Sequence, residues 1–448
     1  VPHNDQFSYT PEFLQSLVAD ALRQSQQCGA SAAEAEVSEG VGFSVTARLN
    51  EVETIEYNRD KDLSVTVYFG QQRGNASTSD FTAEALRHTV EKAASIARYT
   101  GSDPFAGLAD PALLAQAPFV ELDLYHPWHL SVEDAIAQAK RCEQSALSVD
   151  KRITNSEGAT VYTQDSQFMY GNSLGFMAGH AGSSHGLSCS VIAGKEALMQ
   201  RDDWYSVARD PADLQSPEVV GQIAGTRTVQ RLKSRKIKTC KAPVLFESTL
   251  ASGLIGHFVG AVSGGSLYRK SSFLPDSLGQ QVFAPFIQLR EEPHLRKGLS
   301  SAAFDEDGVQ TRPRPVLVNG VVQGYFLGSY SARKLGMVST GNAGGNHNLL
   351  LTATAGDLDE MLRLMDTGLL VTELLGHGVN GVTGDYSRGA AGFWVERGII
   401  QYPVHEVTIA SNLKDMFRNI VAVGNDAVVR GSKITGSILV EGMTIAGD

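Results

Sequence analysis

Closely spaced cysteines are missing from this 448-residue chain: Cys28, Cys142, Cys189 and Cys240 lie far apart and form no CxxC pair. A disulfide framework is therefore excluded, and scattered thiols suit a reduced, cytoplasmic setting. No apolar run reaches the roughly 18 residues that a membrane span needs. The N-terminal VPHNDQFSYTPEF has neither the basic start nor the apolar centre of a signal peptide. Positive charge is in deficit, with 38 Lys and Arg against 49 Asp and Glu and a formal charge of −11. Such a surface repels phosphate, which argues against nucleic acid as a partner. Prolines are few (15) beside 45 glycines, a balance that suits tight turns between strands and not a disordered or collagen-like chain.

Complete catalytic motifs are also missing. No G-x-S-x-G elbow occurs, and the serines of Val262–Ser266 (VSGGS) stand in the wrong pattern. The glycine-rich STGNAGGNHN at 339–348 lacks the Lys-Ser/Thr ending of a phosphate-binding loop. The pairs His126/His129 and His180/His185 have no Cys or carboxylate ligands nearby, so surface or hydrogen-bonded roles fit them best. His257 lies in the apolar segment ASGLIGHFVG, five residues after Ser252, and that offset does not bring two helical side chains face to face. Alone, it reads as a packed imidazole with one hydrogen bond. His377 also follows a glycine, so His257 and His377 are candidates to flank one cleft. The basic run 231–241 reads as a solvated helix end or connector.

What is present is a mixed α+β pattern. Helical periodicity covers 11–28, 81–98, 131–147, 216–236, 248–264 and 411–419. Alternating or β-branched segments at 33–38, 42–49, 52–58 and 62–69 predict four short strands in the first part. Val318-Asn-Gly-Val321 predicts a type I′ hairpin, and Glu396-Arg-Gly398 joins two further strand-like runs. The divisions expected are an N-terminal helix and antiparallel-strand domain (1–98), a proline-broken linker (99–128), a middle α+β domain (129–240) and a strand-rich C-terminal domain (241–448).

The run Thr383-Gly-Asp-Tyr-Ser-Arg388, followed by Gly392-Phe-Trp-Val-Glu396 and IASNLKDMF, resembles the TldD/TldE family, also called PmbA, and is most similar to its TldE/PmbA branch. The resemblance implies a heterodimeric zinc metalloprotease that degrades peptides and trims leader segments from modified peptides. In the TldD branch a helix carries His-Glu-x-x-x-His, whose histidines bind zinc and whose glutamate is the general base, and a later cysteine adds a ligand. Laid on this sequence, that motif keeps Gly256 and His257 but puts Ser252 at the first histidine and Gly253 at the glutamate. Thr435 stands about where the cysteine belongs. One imidazole does not hold zinc tightly. The resemblance thus implies a subunit with no catalytic residue and no metal of its own, with zinc in a TldD-type partner. A homodimer is the expected alternative when the chain is alone. Glu373 and His377 are candidate residues of a peptide cleft. Two other readings stand beside this one: an autonomous hydrolase built on His257, His377 and Glu373, and a regulatory binding protein, after the family's label as a modulator of DNA gyrase.

Overall fold

The computed structural model describes residues 7–447. Its first half is one antiparallel sheet. Strands β1 (Ala32–Arg48), β2 (Glu51–Phe69), β3 (Gln72–Thr78), β4 (Ile153–Asn172), β5 (Met177–Ala193) and β6 (Gln200–Ala208) lie in the order β3-β2-β1-β4-β5-β6. Because β1 pairs with β4, this sheet runs through both the 1–98 and the 129–240 segments. Helices α1 (Pro11–Gln27) and α2 (Ala83–Tyr99) cover one end, and α3 (Val132–Ser148) and α4 (Pro217–Gln230) cover the other. Each starts at a Ser or Thr cap that accepts from a backbone N–H: Thr10, Thr82, Ser131 and Ser216.

Strand β1 ties the two ends together. Ala33, Ala35 and Val37 pack under α1 and α2, while Val45 and Ala47 belong to the core under α3 and α4. All have odd numbers, so one face of one strand serves both cores. The four predicted short strands are in fact two long ones. Gly40 and Gly42, which look like a break in the sequence, are both paired within β1. A Cβ at Gly42 would come within 2.3 Å of the Thr163 carbonyl oxygen, so close approach of β4 requires glycine there, not a turn. The turn itself falls at Leu49 and Asn50, both at positive φ, and the Glu143 carboxylate accepts their N–H groups at 2.8 and 2.9 Å.

The second half contains two sheets. Strands β7 (Cys240–Phe246), β12 (Gly368–Leu375), β13 (Asp385–Glu396), β14 (Ile399–Asn412), β15 (Ile420–Val423) and β17 (Ile438–Ala446) form the order β14-β13-β12-β7-β17-β15. A smaller sheet, β10-β9-β8-β11-β16, joins β8 (Leu289–Glu291), β9 (Arg314–Val318), β10 (Val321–Val322), β11 (Leu349–Leu351) and β16 (Lys433–Ile434). Helices α5 (Ser248–Ala261), α6 (Gly264–Tyr268), α7 (Ser329–Leu335), α8 (Leu358–Met365) and α9 (Leu413–Arg418) complete this part. Alternate residues of β7 serve opposite cores: Val244 and Phe246 pack with α5, and Leu245 packs with α8. Burial on both faces explains why that strand reads as a continuous apolar run. Asn319 and Gly320 have positive φ, as the predicted I′ hairpin requires, and so do Arg397 and Gly398. Among the described residues no helix is long and apolar enough to cross a membrane.

Candidate functional site: the outer face of helix α5

Helix α5 is two-sided. Ala251, Leu254, Ile255, Phe258 and Ala261 recur at helical spacing and are buried. Behind them Phe258 meets Phe283 edge-on at 5.1 Å, and Phe283 stacks on Phe417 at 4.3 Å. The opposite face presents Ser252, Gly253, Gly256, His257 and Gly260 to adjoining cavities. One, of about 230 Å³, is lined by Ser252, Gly253, His257, Tyr386 and Arg388. A second, of about 360 Å³, also has Ser252 and Gly253 in its wall, with Arg430 and Lys433. A third, of about 420 Å³, has both His257 and His377 in its wall, again with Arg388.

The His257 ring meets the Tyr386 ring edge-on at 5.9 Å and has no hydrogen-bond partner among the described residues. Burial lowers its pKa, and the nearby Arg388 guanidinium lowers it further, so the imidazole is neutral at pH 7. Burial also raises the Tyr386 phenol to about 12. Arg388 opposes that shift, yet no hydrogen bond of ordinary geometry links the two, and the Tyr386 hydroxyl and Arg388 Nε are both left unpartnered. Burial lowers the pKa of Lys433 too.

These residues do not fit a metal ion. No Asp, Glu or Cys lines any of the three cavities. Among the described residues no group of three or more His, Cys, Asp or Glu is placed to hold a metal ion. A dication beside His257 would meet at most the imidazoles of His257 and His377, no carboxylate or thiolate, and the Arg388 guanidinium, the reverse of the charge that zinc selects. Thr435 is buried, and its hydroxyl donates to the Gly436 carbonyl at 2.9 Å.

Glu373 stands apart from the two histidines. Its carboxylate pairs with Arg231, which also reaches Asp202 at 3.4 Å. Asp202 in turn binds Arg227 at 3.3 Å, and Arg227 binds Glu247, at the start of α5, at 2.5 Å. This mostly buried chain of charges joins α4 and β6 to α5 and β12. It also changes the reading of the 231–241 run, since its first residue, Arg231, is 9% exposed and ion-paired instead of solvated. Of the other histidines, His185 is fully buried between Thr163 and the His126 carbonyl, and His126 itself lies beside Asp123 and Asp210.

A larger cleft, about 820 Å³, separates the first sheet from the C-terminal loops. Glu34 and Glu36, on the even-numbered face of β1, look across it at Asp305, Glu306 and Asp307. Burial raises the carboxyl pKa of Glu34 and Glu36, and that of Asp305 to about 7. Glu34 accepts from the Tyr68 and Tyr170 hydroxyls at 2.8 and 2.9 Å. Asp305 accepts from the N–H groups of Asp307, Val309 and Ala343.

Sequence reasoning assigned no site role to Tyr386, Arg388, Arg430 or Lys433, although the first two lie in the Thr383–Arg388 run that carries the family resemblance. A signal existed for the first two. They are two residues apart on β13, so they share a face of that strand. Nothing local announces the other two, which arrive through the loop before β16 and through β16 itself.

Comparison with known proteins places the chain in a family of metallopeptidases. Family models for PmbA/TldA metallopeptidases match in three pieces: domain 1 at 33–97, the central domain at 125–232 and the C-terminal domain at 239–447. The chain belongs to this PmbA/TldD family. It is 51% identical over 416 residues to Metalloprotease PmbA of Escherichia coli O157:H7, covering 93% of this chain and 92% of that one. A crystal structure from Bacteroides thetaiotaomicron, provisionally described as a modulator of DNA gyrase, superposes with a TM-score of 0.93 at 27% identity, over 98% of this chain and all of that one. The fold is also that of TldE from Thermococcus kodakarensis, with a TM-score of 0.84 at 20% identity over 96% of this chain and 100% of the other.

Proposed function

We propose that this chain is the non-catalytic subunit of a two-chain zinc metalloprotease of the TldD/TldE type. Zinc and the general base belong to a TldD-type partner. The pair acts in the cytoplasm on unfolded peptides, including leader segments of modified peptides. Enclosure between two chains would limit cleavage to polypeptides that enter unfolded, and it calls for a large, fairly apolar interface. Alone, the chain is expected to pair with a second copy about a two-fold axis.

The observation that carries this reading is the donor set on α5. Ser252 and Gly253 stand where a ligand and a base are needed, and the surroundings of His257 are cationic. An autonomous hydrolase using His257, His377 and Glu373 has less support, because Glu373 is engaged by Arg231 away from both histidines. For the regulatory-binding reading, the net charge of −11 argues against direct DNA contact but not against a protein partner, and a pull-down that recovers gyrase and no TldD-type protein would favour it. Peptide cleavage should appear only on mixing with a TldD-type protein, with about one zinc per heterodimer and almost none in the isolated chain. Unaided cleavage by the pure chain, resistant to chelation and abolished by His257→Ala, would replace this reading with the autonomous one.

A further inference from the structure

We infer that the cavities on the outer face of α5 form a receptor for a carboxylate, namely the free C-terminal carboxylate of a bound peptide. The inference rests on the peptide-handling role proposed above and gives that role a site. The three cavities are continuous in their walls: the first and second share Ser252 and Gly253, and the first and third share His257 and Arg388. Arg388, Arg430 and Lys433 face into them. None of the three, all half-buried, has a carboxylate within salt-bridge distance among the described residues, whereas Arg227 and Arg231 are ion-paired. Arg430 donates to the Tyr205 carbonyl at 2.9 Å and feels the more distant Asp203 and Glu247, so Arg388 and Lys433 are the open charges. Cations partly withdrawn from water with no direct ion-pair partner are costly, and an anion supplied from outside lowers that cost.

A second, independent feature points the same way. Tyr386 is 1% exposed, lines the smallest cavity, and its hydroxyl has no partner. Buried hydroxyls are almost always bonded, so an orphan donor beside an orphan guanidinium Nε marks a place where an acceptor belongs. Arg Nε with its neighbouring Nη is the fork that grips a carboxylate with two parallel bonds. The space is real: a Cβ at Gly253 or Gly260 would touch nothing within 4 Å, and one at Gly256 would meet only the Lys433 stem. The neutral imidazole of His257 can turn an N–H to the same anion without adding charge.

The test is direct binding to the isolated full-length chain by calorimetry. Three ligands are compared: an unstructured peptide with a free C-terminus, the same peptide amidated, and inorganic phosphate. The free acid should bind at least about tenfold tighter than the amide, the scale of a charge-assisted bond. Arg388→Gln and Tyr386→Phe should each bring the acid toward the amide's affinity and leave the amide unchanged. Tyr386→Phe removes only an unpartnered hydroxyl, so its fold is expected to hold. Equal binding of acid and amide would overturn the carboxylate receptor and leave the peptide-handling role standing. Phosphate binding as tightly as the free acid would overturn the assignment to a peptide end. Failure of both peptides to bind would also overturn the inference, while the mixing assay above decides the two-chain reading separately.

Discussion

The cavities beside α5 and the cleft under β1 belong to one chain, yet they are opposite in charge and differ in how that charge is satisfied. In the cleft, Glu34 is held by two tyrosine hydroxyls and Asp305 by three backbone N–H groups. Beside α5, the Tyr386 hydroxyl and Arg388 Nε have no partner. Charge alone therefore does not identify a ligand site. The cleft completes most of its own hydrogen bonds, whereas the α5 cavities leave theirs open, and open bonds in a buried place are what an external group can close.

The comparison depends on the ion chain that fixes α5 against the middle of the molecule, and breaking it should have the largest effect. Arg227→Ala leaves Asp202 and Glu247 without a shared cation in a mostly buried position, a loss of about 3–5 kcal/mol in a urea titration. A loss under about 1 kcal/mol would make the network peripheral. Next comes pH, where carboxyls raised by burial and histidines lowered by it should act in opposite directions. Asp305 is raised to about 7 from roughly 3.9 in an unfolded chain, so between those values the native state keeps a proton that the unfolded state has lost. Its contribution falls as pH rises across that window, by at most about 4 kcal/mol. His257 beside α5, like His180 in the cleft wall at about 4, is depressed below the ordinary histidine value. Their contribution is present above about pH 6.5 and is lost as pH falls below it. Asp305→Asn should therefore remove the Asp305 share of the decline and leave the part due to Glu34 and Glu36, whose carboxyls are raised in the same direction. An unchanged profile would remove Asp305 from the account.

Lys433→Met is a smaller probe of the same contrast. Removing a half-buried ammonium that has no carboxylate partner and only the Ser432 hydroxyl at 3.3 Å should raise stability by up to about 1 kcal/mol, and a clear loss would mean that its charge is satisfied after all. The smallest expected change is in metal content. Ser252→His with Gly253→Glu restores two donor types on α5, but Arg388 stays and no cysteine stands at 435, so zinc should remain far below one per chain. Stoichiometric zinc in that variant would show that side-chain loss on α5, and not its cationic surroundings, is the whole barrier.

Much of this was legible in the sequence where the signal is local. The helices expected from 11, 81, 131 and 216 begin within two residues of those positions, and Asn319-Gly320 turns as its dipeptide demands. The apolar stripe of α5 was plain, and so was the loss of motif residues at Ser252 and Gly253. What could not be read depends on contacts distant along the chain. Gly42 imitates a strand break because its reason for being glycine is Thr163 on another strand. Arg231 looked solvated because Asp202 and Glu373 are remote in sequence. Arg430 and Lys433 reach the α5 cavities only once β16 has docked beside β11.

Strand β1 has a consequence for biosynthesis. Its residues 34–47 find their β4 neighbours only at 159–172, so a nascent chain that has left the ribosome as far as α2 offers one flank of β1 with nothing beside it. Completion of the first sheet must wait for translation to pass β4, and in that interval the bare flank is a template for any other extended polypeptide in the cell.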